Sequence, residues 1–322
     1  MRYAVGIDLG GTKILAGVID LKTGEAISSA KRRSQVTQER EELLERLVDI
    51  AHEVISTARG AKPEAIGIGA AGQIDRERGV LISGPNFGRH MDNLPLGPTL
   101  NQTFHLPVTV ANDVEVAATG EHYFGAGKKE MDYVCVFVGT GIGGAIVRDG
   151  QIYRGATQTA GELGHMVIES GGRLCGCGGR GHLEAYASRS SIVRYILGEM
   201  RGGRKSVLQE IVAGIEQPDG TSIRSGALAK AVAGGDELAI EAISEGARYM
   251  AAGLASVINF YNPPRIVLGG GLVEAVDLFF EQTVRWTRLS ALRVPRGKME
   301  IVRAALGDNA GIVGAAMLAS ER

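Results

Sequence analysis

Two cysteines one residue apart, Cys175 and Cys177, are followed five residues later by His182. Cys-x-Cys is a short bite for a cation, and tetrahedral Zn²⁺ accepts imidazole as readily as thiolate, so these residue types at this spacing read as metal ligands. Two cysteines in a turn beside an unrelated histidine is the other reading. Three runs of glycine offer a different chemistry. Asp8-Leu-Gly10-Gly11-Thr12-Lys13, Gly139-Thr140-Gly141-Ile-Gly143-Gly144 and Gly269-Gly270-Gly271 each follow an apolar run. Backbone N–H groups in such loops approach phosphate oxygens without a Cβ in the way, and a threonine hydroxyl adds a donor. Asp8 is suited to hold, through water, a Mg²⁺ ion that bridges nucleotide phosphates. A hairpin turn would also favour Gly10-Gly11, but three such loops in one chain are poorly explained as unrelated turns. No G-x-x-x-x-G-K-[ST] is present, and Gly139 to Gly144 lacks the G-x-G-x-x-G spacing of a dinucleotide fold. Asn112-Asp113, where an apolar run meets a helical pattern, reads from these residues alone as a helix cap.

The elements that must position these groups are legible as an alternation of strand and helix, so the class is α/β. Tyr3 to Asp8 and Ile14 to Ile19 read as a hairpin around the first glycine run. Leu43, Leu47, Ile50, Ala51 and Val54 fall at helical spacing and predict an amphipathic helix over 41–56. Short buried strands are expected at Ala65 to Ala70 and Val108 to Ala111. From Tyr133 the design repeats: strand, Gly/Thr loop, strand at Ala145 to Val147, and a turn at Asp149-Gly150, which implies an internal duplication. A long helix is expected near Asp236 to Tyr261, a strand at Arg265 to Leu268, a helix from about Ala275, and a last helix from Ala310 to Ala319 capped by Asp308 or Asn309.

Composition narrows the classes. The chain has 322 residues, enough for two cores, and 44% hydrophobic residues support a packed interior in each. The formal net charge of −1 and the scattered basic residues argue against nucleic acid as a partner. Arg201 to Lys205 reads as a solvated loop. No signal segment precedes the first strand, and no apolar run is long enough to span a membrane, which points to the cytoplasm. Three cysteines make no disulfide framework and read as thiols in a reducing compartment, with Cys135 a core residue of its strand.

Together, the Asp8 to Lys13 and Gly139 to Gly144 loops, Gly161-Glu162-Leu-Gly164-His165, Cys175-Gly-Cys177, Gly181-His182-Leu-Glu184 and the closing Gly307 to Ala316 segment resemble the ROK family of sugar kinases and related repressors. The resemblance spans essentially the whole chain. It implies a two-lobed actin-like (ribonuclease H-like) sugar kinase fold with a duplicated β-sheet core and an interlobe cleft. The expected division is residues 1–112 with 303–322 as a small lobe, and 113–302 as a large lobe carrying the second phosphate loop, the zinc site and, at Gly269 to Gly271, an adenosine loop. The implied activity is ATP-dependent phosphorylation of the 6-hydroxyl of a hexose, most simply glucose, in carbohydrate metabolism. Asp113 is then the base on that hydroxyl, with Asn112, Glu162, His165 and Glu184 binding the sugar. Asn86 joins this pocket, and Gly72 lets the backbone approach. The implied zinc ligands are His165, Cys175, Cys177 and His182, the last replacing the family's usual cysteine. Homodimers are common in the family.

Four alternatives stand beside this reading. Family repressors carry a helix-turn-helix domain before the first loop, and a loop beginning at Asp8 leaves no room for one. A non-catalytic sugar sensor is disfavoured by Asp8, Asp113 and both loops. Another sugar (N-acetylmannosamine, fructose, allose or several hexoses) stays open, because Gly88-Arg89-His90 stands where family glucokinases often continue Gly-Trp. Polyphosphate in place of ATP also stays open.

Overall fold

The computed structural model describes residues 2–34, 39–84 and 87–321. The chain begins with strands β1 (Tyr3–Leu9), β2 (Lys13–Asp20) and β3 (Ala26–Arg33), followed by α1 (Arg40–Ser56) and β4 (Pro63–Ala70). Next come β5 (Gln73–Asp75), β6 (Val80–Ser83), α2 (Leu96–Phe104), β7 (Val108–Asn112) and α3 (Asp113–Phe124). The design then starts again with β8 (Tyr133–Val138), β9 (Ile142–Arg148) and β10 (Gln151–Tyr153). Helices α4 (Glu184–Ala187), α5 (Arg189–Arg201), α6 (Gln209–Val212), α7 (Ser225–Ala233) and α8 (Glu237–Tyr261) lead to β11 (Arg265–Gly269). Helices α9 (Gly271–Ala275), α10 (Asp277–Ser290) and α11 (Arg293–Arg296), strand β12 (Glu300–Arg303) and α12 (Ala310–Ser320) complete it.

The expected duplication is visible in strand order. One five-stranded sheet runs β3-β2-β1-β4-β7 and the other β10-β9-β8-β11-β12. In each, the first strand pairs antiparallel with its hairpin partner and parallel with the next long strand, β4 or β11. The five residues that set the helical spacing of α1 are the ones it buries. Asp236 caps α8 through a 2.9 Å bond from the Ala239 amide. Asp149 and Gly150 both take positive φ, as a tight hairpin between β9 and β10 requires.

The chain divides into two compact units. One runs to Glu130 and includes Gly150–Ile152 and the chain from Asp308 onward; the other holds Met131–Asp149 and Tyr153–Gly307. Each has its own apolar core, around Ile7, Ile14, Leu47 and Ile68 in the first and Val136, Ile243, Leu254 and Phe279 in the second. The boundary expected after Asn112 therefore falls after Glu130, and the return expected at 303 falls at 308. The physical reason is α12, which packs against α3, β1 and β4 and draws α3 into the first unit. A Cβ added at Gly314 would lie 1.6 Å from the Val116 carbonyl oxygen, so these helices touch backbone to backbone. Asn309 occupies the cap position of α12 but makes no side-chain cap bond, and Asp308 is drawn instead to Lys13 and Lys31. Among the described residues no helix is long and apolar enough to cross a membrane.

Candidate active site

In the first unit the expected catalytic groups meet at the carboxyl edge of three parallel strands. Strand register sets Asp8 beside Gly69, and Ala70 beside Asn112. This is the edge where open α/β sheets hold ligands, because loops and helix starts face outward there. Asp113 begins α3 at the same edge; a Cβ on Gly69 would stand 3.5 Å from the Asp113 Cα. Burial first, and then the Asp113 carboxylate, push Asp8 up to about 7, with Lys13 opposing and Asp308 adding to the rise. A buried carboxyl group that feels a second carboxylate favours a nearby cation or retention of its proton. Lys13 Nζ bonds Asp308 Oδ1 at 2.8 Å, and Lys31 bonds the other oxygen at 3.3 Å. Gly311, in the first turn of α12, lies so near Asp8 that a Cβ there would come within 2.9 Å of its Cγ.

Gly10 to Lys13 is indeed a hairpin turn, closed by Gly10 N–H to the Lys13 carbonyl at 2.9 Å. The turn does not by itself explain why it opens beside two carboxylates. Asn112 is indeed a cap: its Oδ1 accepts from Val114 N–H at 2.9 Å. Its Nδ2 donates to the Gly72 carbonyl at 3.1 Å, so the same amide ties α3 to the loop after β4. Gly72 has φ of 150°, and a Cβ there would strike the Ser83 carbonyl, so close backbone approach is built in. Asn86 lies outside the described residues.

In the second unit the other glycine runs share the equivalent edge. Gly269 pairs with Phe137, and a Cβ on Gly270 would lie 2.6 Å from Val138 backbone atoms. Gly139 faces open space, Thr140 is exposed, and Gly143 and Gly144 already belong to β9. The Gly161-Glu162-Leu-Gly164-His165 motif packs directly on this loop. A Cβ on Gly164 would sit 2.2 Å from the Ile142 carbonyl oxygen, and one on Gly144 2.5 Å from that of Gly161. Glu184 Oε2 accepts from Ile142 N–H at 2.9 Å and would meet a Cβ on Gly141 at 2.4 Å. Glu184 thus braces the glycine loop, a role the sequence did not suggest. Arg189 is a further residue that sequence reasoning missed: its guanidinium bonds the Thr140 hydroxyl at 2.8 Å.

His165, Cys175, Cys177 and His182 come together, with their ligand atoms all within 4.8 Å of one another. The turn is a knuckle, with Cys175 N–H to the Gly179 carbonyl at 2.8 Å and Gly178 N–H back to Cys175 at 3.0 Å. Cys175 Sγ lies 3.8 Å from His165 Nδ1, and Cys177 Sγ 3.2 Å from His182 Nδ1. With Zn–S near 2.3 Å and Zn–N near 2.0 Å, tetrahedral ligands stand roughly 3.5 Å apart, so this donor set fits zinc. Burial pushes the Cys175 thiol up to about 11, so a thiolate at that place calls for a cation. With Nδ1 turned to the cluster, His165 Nε2 faces Glu162 Oε2 at 3.9 Å. Arg173, two residues before Cys175, lies over the Tyr186 ring at 4.7 Å and pairs with Glu245 at 3.1 Å, pinning the knuckle to α4 and α8.

Two sheets of one strand order, each with a glycine loop at the carboxyl edge, define an actin-like sugar kinase fold. The chain belongs to the ROK family, whose model matches residues 4–322. It is similar to the glucokinase of Streptomyces coelicolor, with 35% identity over all of this chain and 98% of that one. It is also similar to the glucokinase of Thermotoga maritima, 32% identical over 99% of this chain and 97% of that one. Among solved structures, the ROK family glucokinase of Streptomyces griseus in complex with glucose and AMPPNP superposes with a TM-score of 0.85. It is 33% identical and covers 99% of this chain and 100% of that one.

Proposed function

We propose that this chain is a glucokinase that transfers the γ-phosphoryl group of ATP to the 6-hydroxyl of glucose. The observation that carries the reading is the meeting of Asp8, Asp113 and the Gly10–Lys13 loop at one sheet edge. Full-length likeness to glucokinases, one of them holding glucose and an ATP analogue, supports the choice of sugar and donor. Asp113 accepts the proton of the attacking hydroxyl, while Asn112 bonds a neighbouring one. Phosphoryl transfer then depends on an in-line alcohol and on balanced phosphate charge. Asp8, with its raised proton affinity, is the residue to hold Mg²⁺ through water, and Mg²⁺ supplies charge neutralisation. The loops Gly10 to Lys13 and Gly139 to Gly143 offer N–H groups and the Thr12 and Thr140 hydroxyls to the phosphates. Gly269 to Gly271 serves the adenosine.

Glu162, His165 and Glu184 are assigned to sugar hydroxyls, the carboxylates accepting from them, and Asn86 and Gly72 are assigned to the same sugar. His165, Cys175, Cys177 and His182 would hold a structural zinc that stiffens the knuckle and gives rigidity, not reactivity. On the family likeness the enzyme acts in the cytoplasm, at the entry of sugar into glycolysis, as a homodimer.

The test is an ADP-release assay with Mg-ATP across a panel of hexoses, alongside Asp113→Ala. Turnover on glucose should fall by about 10²–10⁴-fold in the variant with glucose binding retained. A stronger preference for another hexose would keep the mechanism and move the substrate. No turnover on any sugar would end the kinase reading.

A further inference from the structure

Arginines stand at the starts of helices α5 and α7. Arg189 is the first residue of α5 and Arg224 the N-cap of α7, and neither helix has an acidic residue in its first turn. A cation at a helix N-terminus faces the positive end of the backbone dipole, so the arrangement is unfavourable unless an anion offsets it. These two starts are joined: Arg189 Nη1 donates to the carbonyl of Ile223, the residue before Arg224, at 2.9 Å. The Arg189 guanidinium is held on the second glycine loop as well. Its Nη2 bonds Thr140 Oγ1 at 2.8 Å, and its backbone N–H bonds the Gly139 carbonyl at 3.0 Å. Ser225, after Arg224, lies beside the third glycine run, 3.8 Å from a Cβ placed on Gly271.

No ion pair of Arg189 or Arg224 is found among the described residues. Burial and the charge of Arg224 both lower the proton affinity of Arg189, and Asp219 alone opposes them. That carboxylate is already occupied: its Oδ1 accepts from the Thr221 amide at 2.8 Å and the Thr221 hydroxyl at 2.7 Å. The Arg189 guanidinium is thus set beside an open glycine loop and a threonine hydroxyl, with a second guanidinium near enough to be felt, an arrangement suited to an anion.

We propose that Arg189 and Arg224 bind the phosphoanhydride chain of the phosphoryl donor on the second glycine loop, making these arginines determinants of donor affinity. The proposal deepens the kinase reading and rests on its assignment of that loop to the donor. Arg189 is pre-set by its bonds to Thr140 and Ile223, while exposed Arg224 closes on the chain from the solvent side. A phosphoanhydride chain could come from a nucleoside triphosphate or from inorganic polyphosphate, and the same fork of N–H donors suits both.

The test is calorimetric titration of the full-length protein with Mg-ATP, magnesium tripolyphosphate and adenosine, on the wild type, Arg224→Ala and Arg189→Lys. Affinity for ATP and tripolyphosphate should drop about tenfold in each variant, the order expected for one lost charge-assisted contact. Adenosine affinity and the KM for glucose should not move. Arg224 is exposed and outside the packed cores, so its variant decides the matter even if Arg189→Lys folds poorly. Unchanged ATP and tripolyphosphate affinity in Arg224→Ala overturns the proposal, as does an equal loss for adenosine, which would mark loop damage. A wild type that binds neither phosphate ligand also overturns it. Normal glucose phosphorylation with insensitive arginines would sink this inference and leave the kinase reading standing. Tripolyphosphate binding that Arg224→Ala abolishes, in a protein that ignores ATP, would keep the subsite and fail the ATP reading.

Discussion

Asp8 carries opposite demands from folding and from function. Its folded form holds its proton up to about 7, far above the ordinary carboxylate value of 3.8, because of burial and the Asp113 charge. A carboxyl group whose folded affinity for protons is raised stabilises the fold below its unfolded value, and that contribution is lost as pH rises through the folded one. In the absence of Mg²⁺, ionised Asp8 is therefore a burden on the first unit near neutral pH. Asp8→Asn should raise stability at about pH 8 by about 1–3 kcal/mol, since each tenfold in proton affinity carries about 1.4 kcal/mol and burying the new amide offsets part of it. Thermal melts in chelator should show the gap between variant and wild type narrowing as pH falls from about 7 and closing at about pH 4. A gap independent of pH would mean that Asp8 ionises normally. Phosphoryl transfer should be lost in the same variant, because an amide offers no charge to a Mg²⁺ shell.

At the scale of elements, α12 sets the geometry of the first site more than any loop does. It packs on β1, β4 and α3 through glycine on one side or the other: Cβ atoms at Gly6 of β1 and Gly67 of β4 would strike carbonyl oxygens of α12, and one at Gly314 of α12 that of Val116 in α3. Overpacking usually costs about 1–3 kcal/mol, and more where backbone cannot yield. Gly314→Ala should therefore lower the denaturation midpoint by the upper end of that range or prevent folding. Gly226→Ala, whose Cβ would meet nothing within 4 Å, should be close to neutral. Chemical denaturation of the two variants makes the comparison. Equal midpoints would show that α12 sits less tightly than its glycines imply. Because Asp308 stands in the turn just before this helix and Gly311 in its first turn, its seating also decides where Lys13 and Asp8 point.

Across the whole molecule, one strand order serves two units with different attachments. The first carries the paired carboxylates, the second the metal knuckle and a braced glycine loop. Each unit holds a separate core, so loss of the metal should be felt in one of them. Metal analysis should find about one zinc per chain, retained by the wild type and lost in Cys177→Ala. Hydrogen exchange after removal should show faster exchange around Ile142 and over 162–186, with the β1, β4 and β7 amides unchanged. Uniform loss of protection would refute a local structural role, and a metal-free wild type would refute the site.

Much of this was legible in the chain itself. Helical spacing named the buried face of α1 residue for residue, and strands ending in Gly-rich runs located both glycine loops and the repeat. Ligand spacing and the family motif pointed to His165, Cys175, Cys177 and His182 as one cluster. These signals are local, since period, turn chemistry and short bites are written within a few residues. What the chain alone did not reveal is made of contacts between distant segments. The unit boundary after Glu130, the Lys13–Asp308 pair, the bracing of Ile142 by Glu184 and the placement of Arg189 on Thr140 all depend on which backbones approach closely. That approach follows from α12 and the sheets packing through glycine, and no periodicity records it. Sequence by itself determined which chemistry was present; tertiary packing alone decided which charges face one another, because electrostatic and steric energies depend on separations that only the folded chain has.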